Sequence, residues 1–411
     1  DVIVVDEAHN LKNSKNLFYH ALESIVTGRK LLLTGTPLQN HIMEYYAMLK
    51  LIAPNLFDDA ATFKTEYADI IDKGAMGDAD EDDITAAKTK IKVFTRLTEG
   101  VVHRRSVAVL AHALPRMYDF KLSYTIGDLP DTEGMGALEQ TYAIATAAKP
   151  IKVKKASYLV EEIRKIGEKT LIFTKSKEVV QAIANKLNCL MMTGDTPSGE
   201  RKAIIEEFMS DESEFTELVM TTQVGGLGLN LQAANHIIIL DPTWNPVIDR
   251  QACFRAYRYG QMKEVFIYRF IVNDSIERRI YLCAIHKTLA ACRIVDGRDV
   301  ERLLTDDQLN EKEDFKENVL DKSSMPDPVL KKLMDKFDCI SQHDVLFAEA
   351  NHEKLSDEEL ADADNEYNKI VYNKESRSLT HPVSKLQVNI PMDELFFETT
   401  DDDDELHLVT P

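Results

Sequence analysis

Short apolar runs and amphipathic segments alternate along the first three quarters of the chain. Short runs that are mostly apolar are typical of buried strands, and they occur at Val2–Val5, Lys30–Leu33, Lys169–Thr174, Leu218–Met220 and Ile237–Leu240. Segments with apolar residues at helical spacing follow some of these runs, at Lys177–Leu187 and Arg201–Phe208. This strand–helix alternation predicts an α/β fold in which helices flank parallel sheets.

The same pattern divides the chain into residues 1–113, 114–300 and 301–411. Glycines and prolines in 114–150 predict a connection followed by a helix, and the acidic stretch Gly74–Asp83 predicts a surface loop. A short loop is predicted at Met191–Glu200. From residue 301 the periodic apolar segments give way to Asp, Glu, Asn and Ser, ending in Asp401–Glu405. This acidic tail is therefore predicted to be mostly disordered, with a few short helices.

The negative charge of the chain is concentrated in that tail. Residues 301–411 hold 29 acidic and 12 basic residues, which is −17 of the total net charge of −20. The nearly neutral remainder can still present a basic groove to DNA, because local potential rather than total charge attracts phosphates. The tail itself fits either a docking segment for a protein partner or a solvating segment without one.

Cysteine usage and hydropathy narrow the class of protein further. The five cysteines are scattered and form no Cys-x-x-Cys pair, which predicts a reducing compartment and no structural zinc. No run of 18 apolar residues and no signal peptide is visible, so no association with a membrane is expected.

Candidate chemistry begins at the end of the first apolar run. Asp6 and Glu7 follow it directly, and Thr34 and Thr36 follow the second run, Lys30–Leu33. Parallel strands bring such residues to one sheet edge, where one carboxylate could hold Mg²⁺ through water and the other could orient an attacking water. The alternatives are ordinary ones, since acidic residues also cap helices and threonines also stabilise turns.

A third set of polar residues lies far downstream. Thr221 and Thr222 end another apolar run, and Gly225, Gly226 and Gly228 follow them. Glycines allow the backbone to approach a phosphate closely, although such a loop is often only a tight turn.

Two arginines follow the next apolar run. If Gln251, Arg255 and Arg258 lie on one helix, their spacing of i, i+4 and i+7 places them on one face. Planar, permanently charged guanidinium groups suit the stabilisation of a transferring phosphoryl group, whereas an arginine pair elsewhere is usually a solvated surface.

Taken together, these motifs resemble those of the Swi/Snf family of DNA-translocating ATPases, whose motor has two RecA-like lobes. The resemblance spans roughly residues 1–300 and rests on Asp6–His9, Thr34–Asn40, Gly225–Leu231 and Arg255–Gln261. Within the family, Arg258–Gln261, Val265–Phe270, Arg293–Asp296 and Val300–Arg302 look most like the ATRX branch. The resemblance implies the C-terminal part of a first lobe at 1–113 and a complete second lobe at 114–300.

The family resemblance also implies roles for individual residues. Asp6 and Glu7 would form the metal and water-activating motif, with Asp6 holding Mg²⁺ through water. Residues that couple ATP to DNA or touch the DNA backbone would be His9, Thr34, Thr36, Thr221, Thr222 and Asn230. Residues that face ATP from the second lobe would be Gly228, Gln251, Arg255 and Arg258, with the two arginines as finger candidates. Trp244 matches a family position but is equally well explained as a packing residue.

One family motif is not found in these 411 residues. No segment reads Gly-x-x-x-x-Gly-Lys-Ser/Thr, the loop that cradles ATP phosphates, and in the family it precedes the acidic tetrad. We therefore expect a chain truncated within the first lobe and inactive as an ATPase by itself. The implied function is an ATP- and Mg²⁺-dependent translocase on double-stranded DNA, acting on nucleosomes in the nucleus. A strand-separating helicase and a catalytically inactive DNA- or partner-binding scaffold are the alternatives.

Overall fold

The computed structural model describes residues 2–105, 109, 113–225, 228–309, 315, 317–348, 350 and 354–378. The chain divides into two compact units, Asp1–Asp364 and Asn365–Pro411. Within the described part of the chain, no helix is long and apolar enough to cross a membrane.

The first lobe opens with a small parallel sheet. Strand β1 (Ile3–Val5) pairs with β2 (Lys30–Leu32), and helix α1 (Leu17–Ser24) connects them. One face of this sheet is open to solvent, because Val4 and its partner across the sheet, Leu31, are 57% and 50% exposed. Exposed apolar side chains side by side on one sheet face are unusual for a protein surface.

Helices complete the first lobe around an aromatic core. They are α2 (Ile42–Ile52), α3 (Ala60–Phe63), a π-helical segment (Lys64–Ala68), α4 (Asp69–Lys73) and α5 (Glu81–Thr98). The rings of Phe57, Phe63, Tyr67 and Phe94 pack with centroids 5.0–6.2 Å apart. Such ring pairs stabilise a core beyond the area that they bury.

The second lobe is built on a seven-stranded sheet in the order β5-β6-β4-β7-β8-β3-β9. Its strands are β3 (Met117–Tyr124), β4 (Lys169–Thr174), β5 (Leu190–Met192), β6 (Glu217–Thr221), β7 (Ala234–Ile239), β8 (Val265–Val272) and β9 (Cys339–Gln342). Neighbouring strands are parallel except that β9 runs antiparallel to β3.

Helices cover both faces of this sheet. They are α6 (Ala137–Ala147), α7 (Lys149–Arg164), α8 (Lys177–Leu187), α9 (Ser198–Met209), α10 (Thr222–Gly225), α11 (Pro246–Cys253), α12 (Ile276–Ile294), α13 (Asp306–Leu309) and α14 (Pro328–Leu333). Helix α15 (Asp357–Ser378) follows them along the chain, and its Glu359 accepts a hydrogen bond from Thr85 of α5 at 3.0 Å. Separate apolar cores lie on the two faces, one around Phe120 and Ile172 and the other around Phe173 and Ile239. The predicted α/β fold with parallel sheets and flanking helices is confirmed.

Two strands lie where the sequence predicted loops. The segment 114–150, interpreted as a connection and a helix, contains β3, which is buried between β8 and β9. Within β3 the charged residues are paired, Asp119 with Arg269 and Lys121 with Glu317. Strand β5 likewise occupies the start of the predicted loop Met191–Glu200.

Part of the predicted tail belongs to the second lobe. Residues 317–342, which we call the strap, bury Leu320, Leu330 and Ile340 and supply α14 and β9. The prediction of a mostly disordered tail from residue 301 is therefore wrong for the strap. In the strap, apolar residues alternate with acidic ones. The acidic composition therefore predicted disorder for a segment that packs against the second lobe.

The acidic stretch Gly74–Asp83 packs more closely than a surface loop would. Arg302 Nε donates to the carbonyl of Gly74 at 2.6 Å, and Gly77 N donates to Leu304 O at 3.0 Å. A side chain at Gly77 would place its Cβ 2.4 Å from the carbonyl oxygen of Arg302. Only glycine permits this approach of the two backbones. The prediction of a simple surface insertion is corrected accordingly.

Candidate functional site

The two predicted catalytic carboxylates lie at the solvent-facing end of β1. Asp6 and Glu7 are both exposed, and Asp6 Oδ1 accepts a hydrogen bond from Glu7 N at 2.8 Å. Glu7 adopts φ +48°, a left-handed conformation that is uncommon for residues other than glycine. Its carboxylate lies 3.2 Å from His9 Nδ1. The strained turn therefore holds the Glu7 side chain beside His9.

Thr34, which follows β2, lies beside His9 as the sequence predicted. His9 Nδ1 is 3.3 Å from Thr34 Oγ1, which also accepts a hydrogen bond from Thr36 N at 3.2 Å. Thr36 is buried, and its hydroxyl has no hydrogen-bond partner among the described residues. A buried hydroxyl without a hydrogen-bond partner destabilises the folded protein, so the Thr36 hydroxyl remains available to form a hydrogen bond.

Gln39 connects this loop to the second lobe. It is 5% exposed, and its Oε1 accepts from Lys12 Nζ at 2.5 Å and from Asn245 Nδ2 at 3.1 Å. The sequence motif Thr34–Asn40 includes Gln39, but the motif by itself does not indicate the contact of Gln39 with Asn245.

The downstream loop is only partly accessible. Thr221 and Thr222 are buried, and the Thr222 hydroxyl has no partner within the described residues, whereas Gly228 and Asn230 are exposed. Gly226 lies outside the described residues. Of the residues predicted here to touch DNA, only Asn230 presents its side chain to solvent, and those contacts stay a prediction.

The expected helical face of arginines is not present. Helix α11 ends at Cys253, so Gln251 is helical while Arg255 and Arg258 lie in the turns that follow. Arg258 is exposed and Arg255 half-buried. Burial lowers the pKa of Arg255, the positive charge of Arg258 adds to that effect, and the Glu7 carboxylate opposes it. Glu7 of the first lobe and Arg255 of the second therefore interact electrostatically.

Gln261 holds the arginine turns in place. Its side-chain Nε2 lies near the carbonyl oxygens of Gln232, Ala234 and Ala256, at 2.9, 2.9 and 3.2 Å. Leu231 N also donates to Arg255 O at 2.9 Å. The amide of Gln261 thus ties the arginine turns to the segment after the glycine loop. Sequence reasoning named this residue only as the end of a motif.

The residues present fit ATP and Mg²⁺ in part. Carboxylate oxygens suit Mg²⁺, which keeps several waters and is usually held by one or two carboxylates plus phosphates. Exposed Asp6 meets that requirement, and no cluster of three or more metal-binding side chains occurs within the described residues. Arg255 and Arg258 could meet phosphate oxygens. No phosphate-cradling Gly-Lys loop is found in the 411 residues to complete the site.

Comparison with known proteins defines the class. Residues 1–125 match the model of the SNF2-related domain, and residues 154–260 match the helicase conserved C-terminal domain. The chain is thus similar to both of these domains, in this order along the sequence. The expected resemblance to the Swi/Snf family is confirmed at that level.

Individual relatives are DNA repair proteins. The DNA repair and recombination protein RAD54 of Saccharomyces cerevisiae is 26% identical over 381 residues, covering 78% of this chain and 42% of that protein. A RAD54-like protein of Drosophila pseudoobscura pseudoobscura is 26% identical over 435 residues, covering 88% of this chain and 56% of that protein. The DNA repair protein rhp54 of Schizosaccharomyces pombe is 26% identical, covering 75% and 44%. The chain thus spans about half the length of these relatives.

Two solved structures are also similar. The C-terminal part of the Fun30 ATPase domain is 36% identical and covers 32% of this chain and 45% of that chain, with a TM-score of 0.31. The Sulfolobus solfataricus SWI2/SNF2 ATPase core in complex with dsDNA is 22% identical and covers 72% and 69%, with a TM-score of 0.34.

Proposed function

We propose that this chain forms part of the motor of an ATP-driven translocase on double-stranded DNA that remodels chromatin or other protein–DNA complexes. The observation that carries the proposal is the match of residues 1–125 to the SNF2-related domain and of residues 154–260 to the helicase conserved C-terminal domain, because the predicted carboxylates and arginines lie in these two segments. A carboxylate that orients the attacking water and an arginine that stabilises the transferring phosphoryl group are complementary parts of ATP hydrolysis. Here each lobe supplies one of them.

The remaining roles follow from position. Asp6 would hold Mg²⁺ through water, and bound Mg²⁺ would neutralise phosphate charge. Gln251, Gly228 and the exposed Arg258 would approach ATP from the second lobe. His9 and Thr34, which are in contact, would couple the carboxylates to the loop that ends β2.

DNA is the proposed substrate of the motor. Asn230 is exposed in the loop that precedes β7, and no base-reading motif is visible in the sequence, so contacts to the phosphate backbone are expected. Relatives named as DNA repair and recombination proteins support DNA as the substrate and the nucleus as the location. Nucleosomes, and a protein partner for the acidic C-terminal residues, complete the proposal. Within the family we place the chain nearest the ATRX branch, on the motifs from Arg258 to Arg302.

ATP hydrolysis with and without duplex DNA tests the motor assignment. The 411-residue protein should hydrolyse ATP at background rates, because it lacks a phosphate-cradling loop. A protein extended upstream by a complete first lobe should be stimulated by DNA, and Glu7→Gln should abolish that stimulation. Robust hydrolysis by the 411-residue protein that Glu7→Gln removes would contradict the requirement for the loop.

The finger assignment is tested in the same extended protein. Arg258→Ala should reduce turnover at least about 100-fold while leaving DNA affinity intact, since arginine fingers contribute about 10³ to 10⁵ in kcat. Arg258→Lys should not restore turnover, because an ammonium group cannot reproduce the planar fork. Turnover of the alanine variant within a few-fold of the parent would assign Arg258 to the solvated surface. Unwinding of a forked duplex by the parent would favour the strand-separating helicase instead.

A further inference from the structure

A cavity of about 1040 Å³ lies where the two lobes meet. The first lobe contributes residues of α2 and α5, and the second lobe contributes α11, α12 and parts of β3, β7 and β8. Among the described residues that line it, none was assigned above to ATP or to DNA. Its volume is at the upper end of the range for small-molecule sites, about 300–1,000 Å³.

Arg250 of α11 brings an uncompensated positive charge to this cavity. Its guanidinium forms no hydrogen bond or ion pair within the described part of the chain. The acids nearby are already engaged, because Asp296 pairs with Arg104 at 2.7 Å and Asp119 with Arg269 at 2.8 Å. Burial lowers the pKa of Arg250, the positive charges of Arg104 and Arg269 add to that effect, and Cys292 and Asp296 oppose it only in part.

Asp249, the preceding residue, brings an unsatisfied acceptor to the same wall. It is 4% exposed, and its Oδ2 accepts a hydrogen bond from Thr243 N at 3.1 Å. Its Oδ1 is buried and has no partner within the described residues. A buried carboxylate oxygen without a donor is costly, and a ligand donor or a bridging water would satisfy it.

The rest of the wall combines apolar and charged side chains. Its aromatic residues include Tyr45 from the first lobe and Phe254, Tyr281 and Phe347 from the second, and its charged residues include Lys92, Glu99 and Arg298. Apolar surface beside converging polar groups is typical of a site for a small organic molecule. An inorganic ion would satisfy Arg250 but would leave the aromatic surface uncovered.

We propose that this cavity binds an aromatic organic anion of about nucleotide size, whose phosphate or carboxylate pairs with Arg250 and whose N–H or O–H group satisfies Asp249. Because the walls belong to both lobes, the bound anion ties the first lobe to the second. The site is separate from the residues proposed to act on ATP, so its ligand would regulate the proposed motor and would not be the nucleotide that the motor hydrolyses.

Calorimetric titration of the purified 411-residue protein with AMP and with indole-3-acetate tests the site. The two probes carry a phosphate and a carboxylate on an aromatic ring, and they show which anion the site takes. At least one should bind at a single site, and its uncharged analogue, adenosine or indole, should bind at least about tenfold more weakly. Absence of binding by both anions at millimolar concentration would overturn the proposal.

Variants locate the binding. Arg250→Gln should weaken the anion at least about tenfold, whereas the matched variant Arg29→Gln, at an exposed arginine outside the cavity, should bind as the parent does. Equal affinity of Arg250→Gln and the parent, or loss of binding in Arg29→Gln alone, would refute the assignment. Ala284→Phe fills the cavity from α12 and should also block binding, which covers the case in which Arg250→Gln fails to fold.

Thermal melting distinguishes a binding role from a structural one. An unpaired enclosed cation does not stabilise the free protein, so Arg250→Gln should melt at or above the temperature of the parent. A lowered melting temperature together with unchanged affinity would identify Arg250 as a structural residue and would overturn the proposal.

Discussion

Replacement of Lys152 should strongly reduce the free energy of unfolding of the second lobe. It is 1% exposed on α7, and its Nζ contacts the carboxylates of both Asp241 and Glu277. Asp241 follows β7 and Glu277 begins α12, so one ammonium group joins a helix on one face to two other elements. Removing it leaves two buried carboxylates without their cation.

The expected loss can be worked out from that geometry. Breaking a buried ion pair by removing one partner costs about 3–5 kcal/mol, because the remaining charge stays desolvated. Other hydrogen bonds stay, since Asp241 Oδ2 accepts from Thr174 Oγ1 at 2.5 Å and Glu277 Oε2 accepts from Val272 N at 3.1 Å. Lys152→Met should therefore destabilise the second lobe by about 3–5 kcal/mol near pH 8.

The loss should depend on pH with a defined sign. Burial raises the pKa of Glu277 even with Lys152 present, whereas at Asp241 burial is overcome by Lys152 together with hydrogen bonds from Thr174 and Lys175, which lower the pKa. Without the cation both carboxyls should have folded-state pKa values above those of the unfolded chain. Their destabilising effect is then complete above the folded-state pKa and fades as pH falls toward the unfolded values. The difference between parent and Lys152→Met should therefore be smaller at pH 5 than at pH 8.

Urea unfolding followed by the fluorescence of Trp244 measures the free energy of unfolding near the Lys152 contacts, because Trp244 is the only tryptophan and lies three residues from Asp241. Lys154→Met is the matched control, since Lys154 is exposed on the same helix, and it should change stability by less than about 0.5 kcal/mol. Similar midpoints for the two variants would refute the reasoning. Adding Glu277→Gln to Lys152→Met should recover part of the loss, because it removes one of the uncompensated charges.

Two further predictions concern the arginine turns and the small sheet. Gln261→Met removes a side-chain donor that lies near three backbone carbonyls, of which that of Ala256 also accepts from Arg258 N, and should cost about 1–3 kcal/mol in urea unfolding, whereas Gln181→Met on the exposed face of α8 should be neutral. The 411-residue protein should bind the dye ANS and aggregate through the open face of β1 and β2, and the double variant Val4→Thr/Leu31→Thr should reduce both. A monodisperse parent without dye binding would contradict the second prediction.

Local sequence signals were sufficient for much of the second lobe. Helix α8 and strand β4 occupy the predicted residues Lys177–Leu187 and Lys169–Thr174, because apolar spacing and a serine cap at Ser176 mark them clearly. The pairing of β1 with β2 also follows from two apolar runs that each end in polar residues. Strand β3 was missed because its polar residues are satisfied by partners 150 to 196 positions away, which local patterns cannot reveal.

The proximity of His9 and Thr34 was predictable from the sequence, but the backbone around the two arginines was not. Regular spacing suggested that Arg255 and Arg258 continue a helix, yet the helix stops at Cys253, and the side chain of Gln261 then organises the turns. That arrangement depends on carbonyls of residues 232 and 234, a tertiary interaction without a local signature. The cavity beside Arg250 was equally invisible, because its walls come from distant parts of the chain.

The strap has a consequence for where this lobe can be divided. Strand β9 covers the outer side of β3, so the eight-residue β3 is not a free edge. A free edge of that length is a template for pairing with other chains. A recombination or cloning boundary placed at residue 300 would discard β9 and create such a template, although residues 114–300 contain the other six strands of the sheet. The smallest segment that contains the complete sheet of this lobe therefore extends through Gln342, beyond the last of the recognisable sequence motifs.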